Sequence, residues 1–531
     1  MKRKIILLLV MVVITTVVFG CKKATPTIKP PKVDDIADNY RTFYQIFVGS
    51  FSDSNNDGIG DLRGIINRFD YLNDGDVNSG TDLGVQGIWL SPIFDSPSYH
   101  KYDANDYFKI DWRFGTEEEL KELIALCKER NVKLILDLAI NHTSASHEWF
   151  LKFKEARMNG DVTNKYYDYY SCVKTEEKVG GVAYQKIAGV DCWYECNFSG
   201  SMPELNFDNS EVREEMLNVA KYYIDLGIDG FRFDAVKYIY YGNADKSVEF
   251  WKWYMEELYK VKPDIYCVGE CWSGDTEIFS FYEAMNCFNF AMSQAEGVIA
   301  KAAKGSTISN YTGYITSLQR NTRAKNPDSM LMPFLSNHDM DRIAGAFVNE
   351  NYMRMAANLY LLSPGSPVIY YGEEIGIRGS RGSENTDANR RLAMLWGDGD
   401  MVKNPTGSTY PDSKQINTTV AEQLKDENSL YIYYGKLISI RHKYPAIARG
   451  DYSAANCENK LGGFVITYQN EKLLLLHNTS TEEISYDLSN CGALAAYKDF
   501  SLCDSIGVGT AKLEGQKLTL GAQTSVIIKI K

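Results

Sequence analysis

Basic charge is in short supply in this chain, where 57 Lys and Arg stand against 69 Asp and Glu over 531 residues. So acidic a balance is a poor match for a phosphate backbone and argues against a nucleic-acid partner; a neutral or polar substrate suits it better. Eleven cysteines are present, yet none sits in a paired C-x-x-C zinc arrangement. Cys127 and Cys267 fall in a helix-like and a strand-like run and read as buried thiols. Cys172, Cys192 and Cys196 lie in an irregular stretch, with Cys491 and Cys503 near the end; disulfides are open to them in an exported protein, but the sequence does not give the pairing. There is no internal repeat and no low-complexity tract. The one long apolar run, Ile5 to Phe19, is too short for a comfortable membrane span.

Lys2, Arg3 and Lys4 precede that run and Gly20-Cys21 follow it, which is the order of an export signal over residues 1–20. The Gly-Cys end resembles a bacterial lipoprotein cleavage box, although Phe19 is bulkier than that box usually has, and it would leave a lipid on Cys21. Ordinary cleavage and an uncleaved anchor are the alternatives. Ala24 to Ala37, with Pro26, Pro30 and Pro31, reads as an extended segment, so residues 21–37 are expected to tether the folded part to a membrane. The location this implies is the cell surface or periplasm. Without Lys2, Arg3 and Lys4 the basic count falls to 54 against 69 acidic residues, a net charge near -15.

At 44% hydrophobic the remaining chain can bury a large core. Strand-like runs recur at Thr42–Val48, Gly87–Ile93, Lys133–Ile140, Gly230–Val236, Ile265–Val268, Phe288–Met292, Leu331–Leu335 and Val368–Tyr371. Helical stretches such as Thr116–Arg130 and Ser210–Leu226 separate them, which implies parallel pairing through crossovers. Eight such units predict a (β/α)8 TIM barrel, with a doubly wound sheet as the alternative on pattern alone. Polar residues just past each strand's C-terminal end favour the barrel, because barrel active sites sit there. From Asn141 to about Asp208 the alternation lapses into Tyr-, Gly- and Cys-rich sequence without clear helical period, read as a long functional excursion after the third strand. After the helix-like Ser429–Lys443, short alternating runs predict a small all-β C-terminal domain. The expected division is a barrel over 38–141 and 209–448, an inserted domain over 142–208 and a β-domain over 449–531.

In the run Gly230-Phe231-Arg232-Phe233-Asp234-Ala235-Val236-Lys237 a strand presents Arg232 and Asp234 on one side. The cation favours the charged form of the aspartate, and an ionised aspartate is a nucleophile. The fifth strand ends in Val268-Gly269-Glu270-Cys271-Trp272, the seventh in Phe334-Leu335-Ser336-Asn337-His338-Asp339 and the third in Asp137-Leu138-Ala139-Ile140-Asn141-His142. A barrel would gather these ends at one mouth, bringing Asp234, Glu270 and Asp339 together with Arg232, His142 and His338. Crowding and burial raise at least one carboxyl pKa, and a glutamic acid kept protonated near neutral pH can protonate a leaving oxygen. That pairing suits glycosidic cleavage with retention, for which the two carboxyls should stand about 5–5.5 Å apart.

DLAINH, GFRFDAVK, VGECW and FLSNHD look like the successive signature regions of the alpha-amylase family of glycoside hydrolases, over roughly Thr42 to Ala448. The resemblance implies a catalytic barrel with an inserted domain B and a C-terminal β-sandwich. It implies Asp234 as nucleophile, Glu270 as acid/base and Asp339 as the residue that distorts and holds the sugar. It further implies that His142 and His338 hydrogen-bond that sugar, that Arg232 orients the nucleophile, that Tyr102 stacks beneath the ring and that Lys237 reaches the leaving-group side. Trp272 is a further candidate sugar platform.

Asp53-Ser54-Asn55-Asn56-Asp57-Gly58-Ile59-Gly60-Asp61 places oxygen side chains at alternate positions, a spacing that wraps one hard cation. A solvated Asp/Asn/Gly turn is the alternative. The loop is similar to one in the oligo-1,6-glucosidase branch of the family, which implies Ca2+ held by Asp53, Asn55, Asp57, the Ile59 carbonyl and Asp61. A second calcium, usual in amylases at the position of Asn141, is left open; Tyr238 stands where a histidine is usual.

The oligosaccharide-specific branch usually carries an aspartate three residues before the stacking tyrosine, where it reads the terminal sugar; here that position is Tyr99. Losing that anchor favours an endo-acting alpha-amylase on starch-like α-1,4-glucans and maltooligosaccharides, expected to be a monomer. Met202-Pro203-Glu204-Leu205-Asn206 resembles the fifth signature region and leaves specificity open. The rivals are a 4-α-glucanotransferase or a maltogenic or oligosaccharide-specific α-glucosidase with the same residues, and a non-catalytic glycan-binding lipoprotein, against which the three intact acids speak.

Overall fold

The structure, a computed structural model, describes residues 37–347, 349–415 and 418–531. The export signal, Cys21 and the tether up to residue 36 lie outside the described residues. Among the described residues no helix is long and apolar enough to cross a membrane.

Parallel strands Phe43–Ile46, Gly87–Leu90, Lys133–Leu138, Gly230–Phe233, Tyr266–Gly269 and Asn286–Cys287 lie side by side in chain order. The eighth strand, Val368–Tyr370, pairs with the first. The seventh position makes two single parallel bridges, Phe288 to Met332 and Phe334 to Val368. These join the sixth strand to the eighth and close the (β/α)8 barrel. Every residue of the third strand, KLILDL, is buried, as expected where a parallel sheet is covered on both faces. Gly230 opens the fourth strand because a Cβ there would sit 1.7 Å from the Tyr266 carbonyl oxygen, closer than any side chain could be placed.

The flanking helices follow their local signals. Thr116 caps Glu117–Glu129 by accepting from the Glu119 backbone, while the Glu119 carboxylate accepts from the Thr116 backbone, a reciprocal cap that satisfies two otherwise orphaned donors. Ser210–Leu226 buries Val212, Met216, Val219, Ala220 and Tyr223 along one stripe and ends at Gly227, whose φ of +112° suits glycine. Each such large apolar side chain contributes about 1.5–3 kcal/mol by leaving water.

Two expectations need correction. The sixth strand is not Phe288–Met292 but Asn286–Cys287; Phe290–Met292 is a 3-10 turn. Its alternation of buried Phe288, Phe290 and Met292 is met by a tight turn packed under the rim, with Phe290 against Trp272 and Phe334. The stretch after Asn141 is also less irregular than it reads. It contains the helix Glu148–Asn159 and a three-stranded sheet of Cys172–Val173, Trp193–Glu195 and Tyr184–Lys186. A Cys172–Cys192 disulfide spans it. The excursion is pinned to the barrel by a bridge between His142 and Glu204 and by the Leu205 amide donating to the Asn141 carbonyl at 2.9 Å.

Beyond the helix Leu430–Lys443, capped by Ser429, a five-stranded antiparallel sheet and a three-stranded one form the C-terminal all-β domain. Its strand Glu471–Asn478 explains the four consecutive leucines. Leu473 and Leu475 pack into the core shared with the barrel, and Leu474 and Leu476 into the β-domain's own core, so both faces of that strand are dry.

Candidate active site

A cleft of about 810 Å3 opens at the C-terminal ends of the strands. Asp234, Glu270, Asp339, Tyr102, His142 and Lys237 line it together with Tyr99, Phe198, Trp272 and Arg391. Arg232 and His338 are buried beneath its floor. The structure therefore brings all eight expected cleft residues to one place.

The floor is organised by Arg232. Its Nη1 donates to Asp234 Oδ1 at 2.8 Å and to Asp137 Oδ1 at 2.7 Å, and its Nη2 lies 3.1 Å from Glu270 Oε2. That last contact is close but poorly aligned, an ion pair without a directed bond, since Nη2 makes no hydrogen bond. One buried guanidinium fork thus touches both Asp234 and Glu270. After Asp234 the backbone turns through Ala235 at φ +51°, a conformation that non-glycine residues rarely adopt. The turn aims the Ala235 amide at Glu270 Oε2, 3.3 Å away, and the Val236 amide at the Glu270 carbonyl, 3.0 Å away.

The carboxyls differ electrostatically. Burial pushes Glu270 up to about 8, with the charges of Asp234 and Asp339 adding and Arg232 opposing. Its neutral form therefore persists at neutral pH. Asp339 is drawn the other way. Its side chain is 28% exposed, and what dehydration it suffers is outweighed by His338 and Arg391, which hold it well below the usual carboxylate range. His338 Nε2 reaches Asp339 Oδ2 at 2.8 Å and Arg391 Nη2 donates to Oδ1 at 2.7 Å. The Gln45 amide lies 2.7 Å from His338 Nδ1 and so fixes the ring from its far side.

Tyr102 stacks on the His338 ring, centroids 5.3 Å apart and planes 10° apart, and its hydroxyl donates to Asp137 at 2.7 Å. The preceding Lys101 turns the loop at φ +66° and pairs with Asp111 at 2.6 Å, both buried. His142 is buried with Nε2 lacking a protein partner, a donor or acceptor available to a ligand in the cleft. Lys237 Nζ donates to the Trp272 carbonyl at 2.7 Å, which sets it at the rim beside the half-exposed Trp272 ring.

Sequence reasoning missed two residues. Asp137 binds Arg232, Tyr102 and, at 3.2 Å, the Trp89 indole N–H; burial pushes it up to about 6 despite Arg232. A charge inside the otherwise apolar run of residues 134–138 is the available signal. Arg391 clamps Asp339, donates through Nη1 to the Tyr99 hydroxyl at 3.0 Å and through Nε to the His338 carbonyl at 3.0 Å. It lies in an irregular stretch after the eighth strand, where spacing carries no information.

The residues expected to bind a cation lie elsewhere, between the first strand and its helix. Asp53 Oδ1 accepts from the Asn55 and Asn56 amides and Oδ2 from Gly58, while Asp61 Oδ2 accepts from Ser54 and Oδ1 caps the next helix at Gly64. Among the described residues no group of three or more His, Cys, Asp or Glu is placed to hold a metal. The loop brings together two buried carboxylates, Asp53 and Asp61, with Asn55 and Asp57 exposed. Burial raises Asp61, and the Asp53 charge adds to it, a repulsion that a cation would relieve. The all-oxygen donor set fits calcium.

The alpha-amylase catalytic-domain model matches residues 45–450. The chain is 34% identical over 496 residues to alpha-amylase 3 of Dictyoglomus thermophilum, covering 92% of this chain and 93% of that one. It is 32% identical to the oligo-1,6-glucosidase of Bacillus cereus, covering 84% and 91%. The solved structure of Eubacterium rectale Amy13B superposes with a TM-score of 0.85 at 34% identity, covering 94% of this chain and 97% of that one. With a closed barrel, three acids at its mouth and these relatives over nearly its whole length, the chain belongs to the alpha-amylase family of glycoside hydrolases and is an enzyme of that family.

Proposed function

We propose that this enzyme hydrolyses α-1,4-glucosidic bonds within starch-like glucans and maltooligosaccharides, with retention of configuration. The observation that carries the reading is the shared contact of Arg232 with Asp234 and Glu270, which keeps the two carboxyls on one side chain's fork, the close pairing that a double displacement needs. Asp234 attacks the anomeric carbon while the Glu270 carboxylic acid protonates the departing oxygen; the resulting Glu270 carboxylate then takes a proton from water as that water displaces Asp234. Asp339, ionised between His338 and Arg391, binds sugar hydroxyls and is placed to favour the distorted ring. His142 and His338 add hydrogen bonds, Tyr102 supports the ring from below, and Lys237 and Trp272 face the leaving group.

Internal cleavage is favoured by Tyr99, which stands where an oligosaccharide-specific enzyme would carry an aspartate and whose hydroxyl is held by Arg391. A neutral aromatic there leaves the chain end unread. The proposal includes a calcium ion in the loop of Asp53, Asn55, Asp57, Ile59 and Asp61, where it would neutralise the paired carboxylates; no catalytic step passes through it. It also includes a monomeric enzyme, exported and held to a membrane by a lipid on Cys21, a reading that rests on the Lys2–Cys21 sequence pattern and is tested by mass spectrometry of the mature N-terminus.

The test is a product profile over time on amylose, pullulan and maltotriose, with the anomer of the first product followed by NMR. Early release of mixed α-anomeric oligosaccharides from amylose is expected. Glucose alone from chain ends would overturn internal cleavage, β-anomers would overturn retention, and glucans longer than the substrate from maltotriose would mark a transferase.

A further inference from the structure

We propose that Cys457 and Cys491 form a dithiol that closes into a second disulfide of this chain, tying the C-terminal β-domain's long hairpin to the short turn that follows its fourth strand. Cys457 follows the strand Asp451–Asn456 and is half-buried; Cys491, fully buried, sits between two 3-10 turns, Leu488–Asn490 and Gly492–Leu494. Both are free thiols in the structure. The Cys491 Sγ lies 3.7 Å from the Asn456 carbonyl oxygen, which sets it against the peptide leading into Cys457.

Their chemistry is unequal in a way that suits exchange. The neighbouring Cys457 sulfur, together with the amides of Ala493 and Leu494, draws the Cys491 thiol down against its burial. Cys457 is pushed the opposite way by the nearness of Cys491 and by its own burial. The thiolate is the attacking species in thiol–disulfide exchange, and the reachable sulfur is the one that meets an external oxidant. Although Cys491 ionises more readily, it is fully buried, so the half-buried Cys457 is the sulfur that an external disulfide reaches first. It loses its proton and attacks one sulfur of a small-molecule or protein disulfide, expelling the other sulfur as a thiol. The Cys491 thiolate then attacks Cys457 Sγ, expelling the oxidant's second sulfur. Two protein thiols are oxidised by two electrons and one external disulfide is reduced to two thiols, with no other reactant required.

The bond would staple two segments that pack on the same small core of Leu474, Leu476, Leu488, Leu518 and Val526. It would act alongside Cys172–Cys192 in the inserted domain, so each non-barrel part of the chain would carry one cross-link. Cys503, although half-buried and nearby in sequence, is directed elsewhere, with its Sγ on the Ser501 carbonyl and near Tyr444.

The experiment equilibrates the full chain in glutathione buffers of graded redox ratio, alkylates free thiols and maps peptides without reduction. The expected result is a Cys457–Cys491 linked peptide appearing as the buffer becomes oxidising, two fewer free thiols and Cys503 still alkylated. The oxidised chain should melt several degrees above C457S/C491S, with amylose hydrolysis by that variant unchanged. Recovery of both cysteines singly alkylated in a buffer that keeps Cys172–Cys192 oxidised would overturn the proposal, as would linkage of either to Cys503. The peptide map decides the matter even where the double variant fails to fold.

Discussion

The buried guanidinium of Arg232 lies 3.1 Å from Oε2 of Glu270, yet the carboxyl is pushed up to about 8 rather than down. Burial outweighs the cation, and Asp234 and Asp339 add negative charge, so the site keeps a neutral acid beside an arginine. Glu270→Gln preserves shape and neutrality but has no proton to give. The expected outcome is a kcat on amylose lower by about 10²–10⁴-fold with substrate binding retained, measured as reducing-end release and as affinity for maltooligosaccharides.

The same carboxyl sets the alkaline limb of activity. An acid must be protonated to act, so kcat/KM should fall as pH rises through about 8. On the other side, Arg391 and His338 hold Asp339 ionised far into acid. Arg391→Met should raise the Asp339 pKa, the shift expected on losing a neighbouring opposite charge, far enough for Asp339 to enter the acid limb and move it upward, while leaving the alkaline limb in place. Profiles of kcat/KM from pH 3 to 10 for both proteins check this; an unmoved acid limb would detach Arg391 from Asp339.

Asp137→Asn tests the residue beneath the site. Asp137 shares Arg232 with Asp234, and removing one partner of a buried ion pair costs about 3–5 kcal/mol. The expected outcome is a lowered urea midpoint together with a lower kcat, because Arg232 then turns more fully toward Asp234 and Tyr102 loses its charged acceptor. Unchanged melting would contradict the role assigned to this pair.

Much of this arrangement was legible along the chain, and what was not has a physical cause. Thr116, Ser429 and Gly227 mark helix ends through side-chain and backbone chemistry that is local, so the helices read correctly. The three acids could be placed at one mouth because each follows a recognisable strand-like run. Asp137 was overlooked because strand patterning ranks it as one interruption in an apolar run. The helix Glu148–Asn159 was missed because Trp149, Phe150 and Leu151 are consecutive while Leu151 and Met158 are exposed, which blurs the 3.6-residue period. The pairing of Cys172 with Cys192 depends on a three-stranded sheet whose strands are two or three residues long, too short to leave a pattern.

A second buried acid offers a test of stability against pH. Burial pushes Glu373 up to about 8, although Tyr360 and Tyr434 donate to it at 2.6 and 3.0 Å. Its folded pKa stands above the unfolded value near 4.3. Its contribution is therefore complete below about pH 4.3 and is lost as pH rises toward 8. Glu373→Gln stays neutral throughout, so its melting temperature relative to the parent should rise steadily between pH 5 and 8.5. A constant difference across that range would show that Glu373 does not titrate there.

The cation loop yields the last expectation. Asp53 is buried and its carboxylate accepts from three backbone amides, so it shapes the loop whether or not a metal is present; Asp57 is exposed and accepts from the Ile59 amide alone at 2.8 Å. The two are therefore separable. Asp53→Asn should lower stability with and without calcium, whereas Asp57→Asn should weaken calcium binding and leave the metal-free melting temperature close to the parent's. For the parent, dialysis against a chelator should lower the melting temperature, and calcium at 100 times its dissociation constant should restore about 2.7 kcal/mol. Calorimetric titration of the chelator-treated protein, followed by melts over a calcium series, distinguishes the cases. Melting that ignores calcium, with less than one ion bound at saturating supply, would leave the loop as an ordinary Asp/Asn turn held by its own amides.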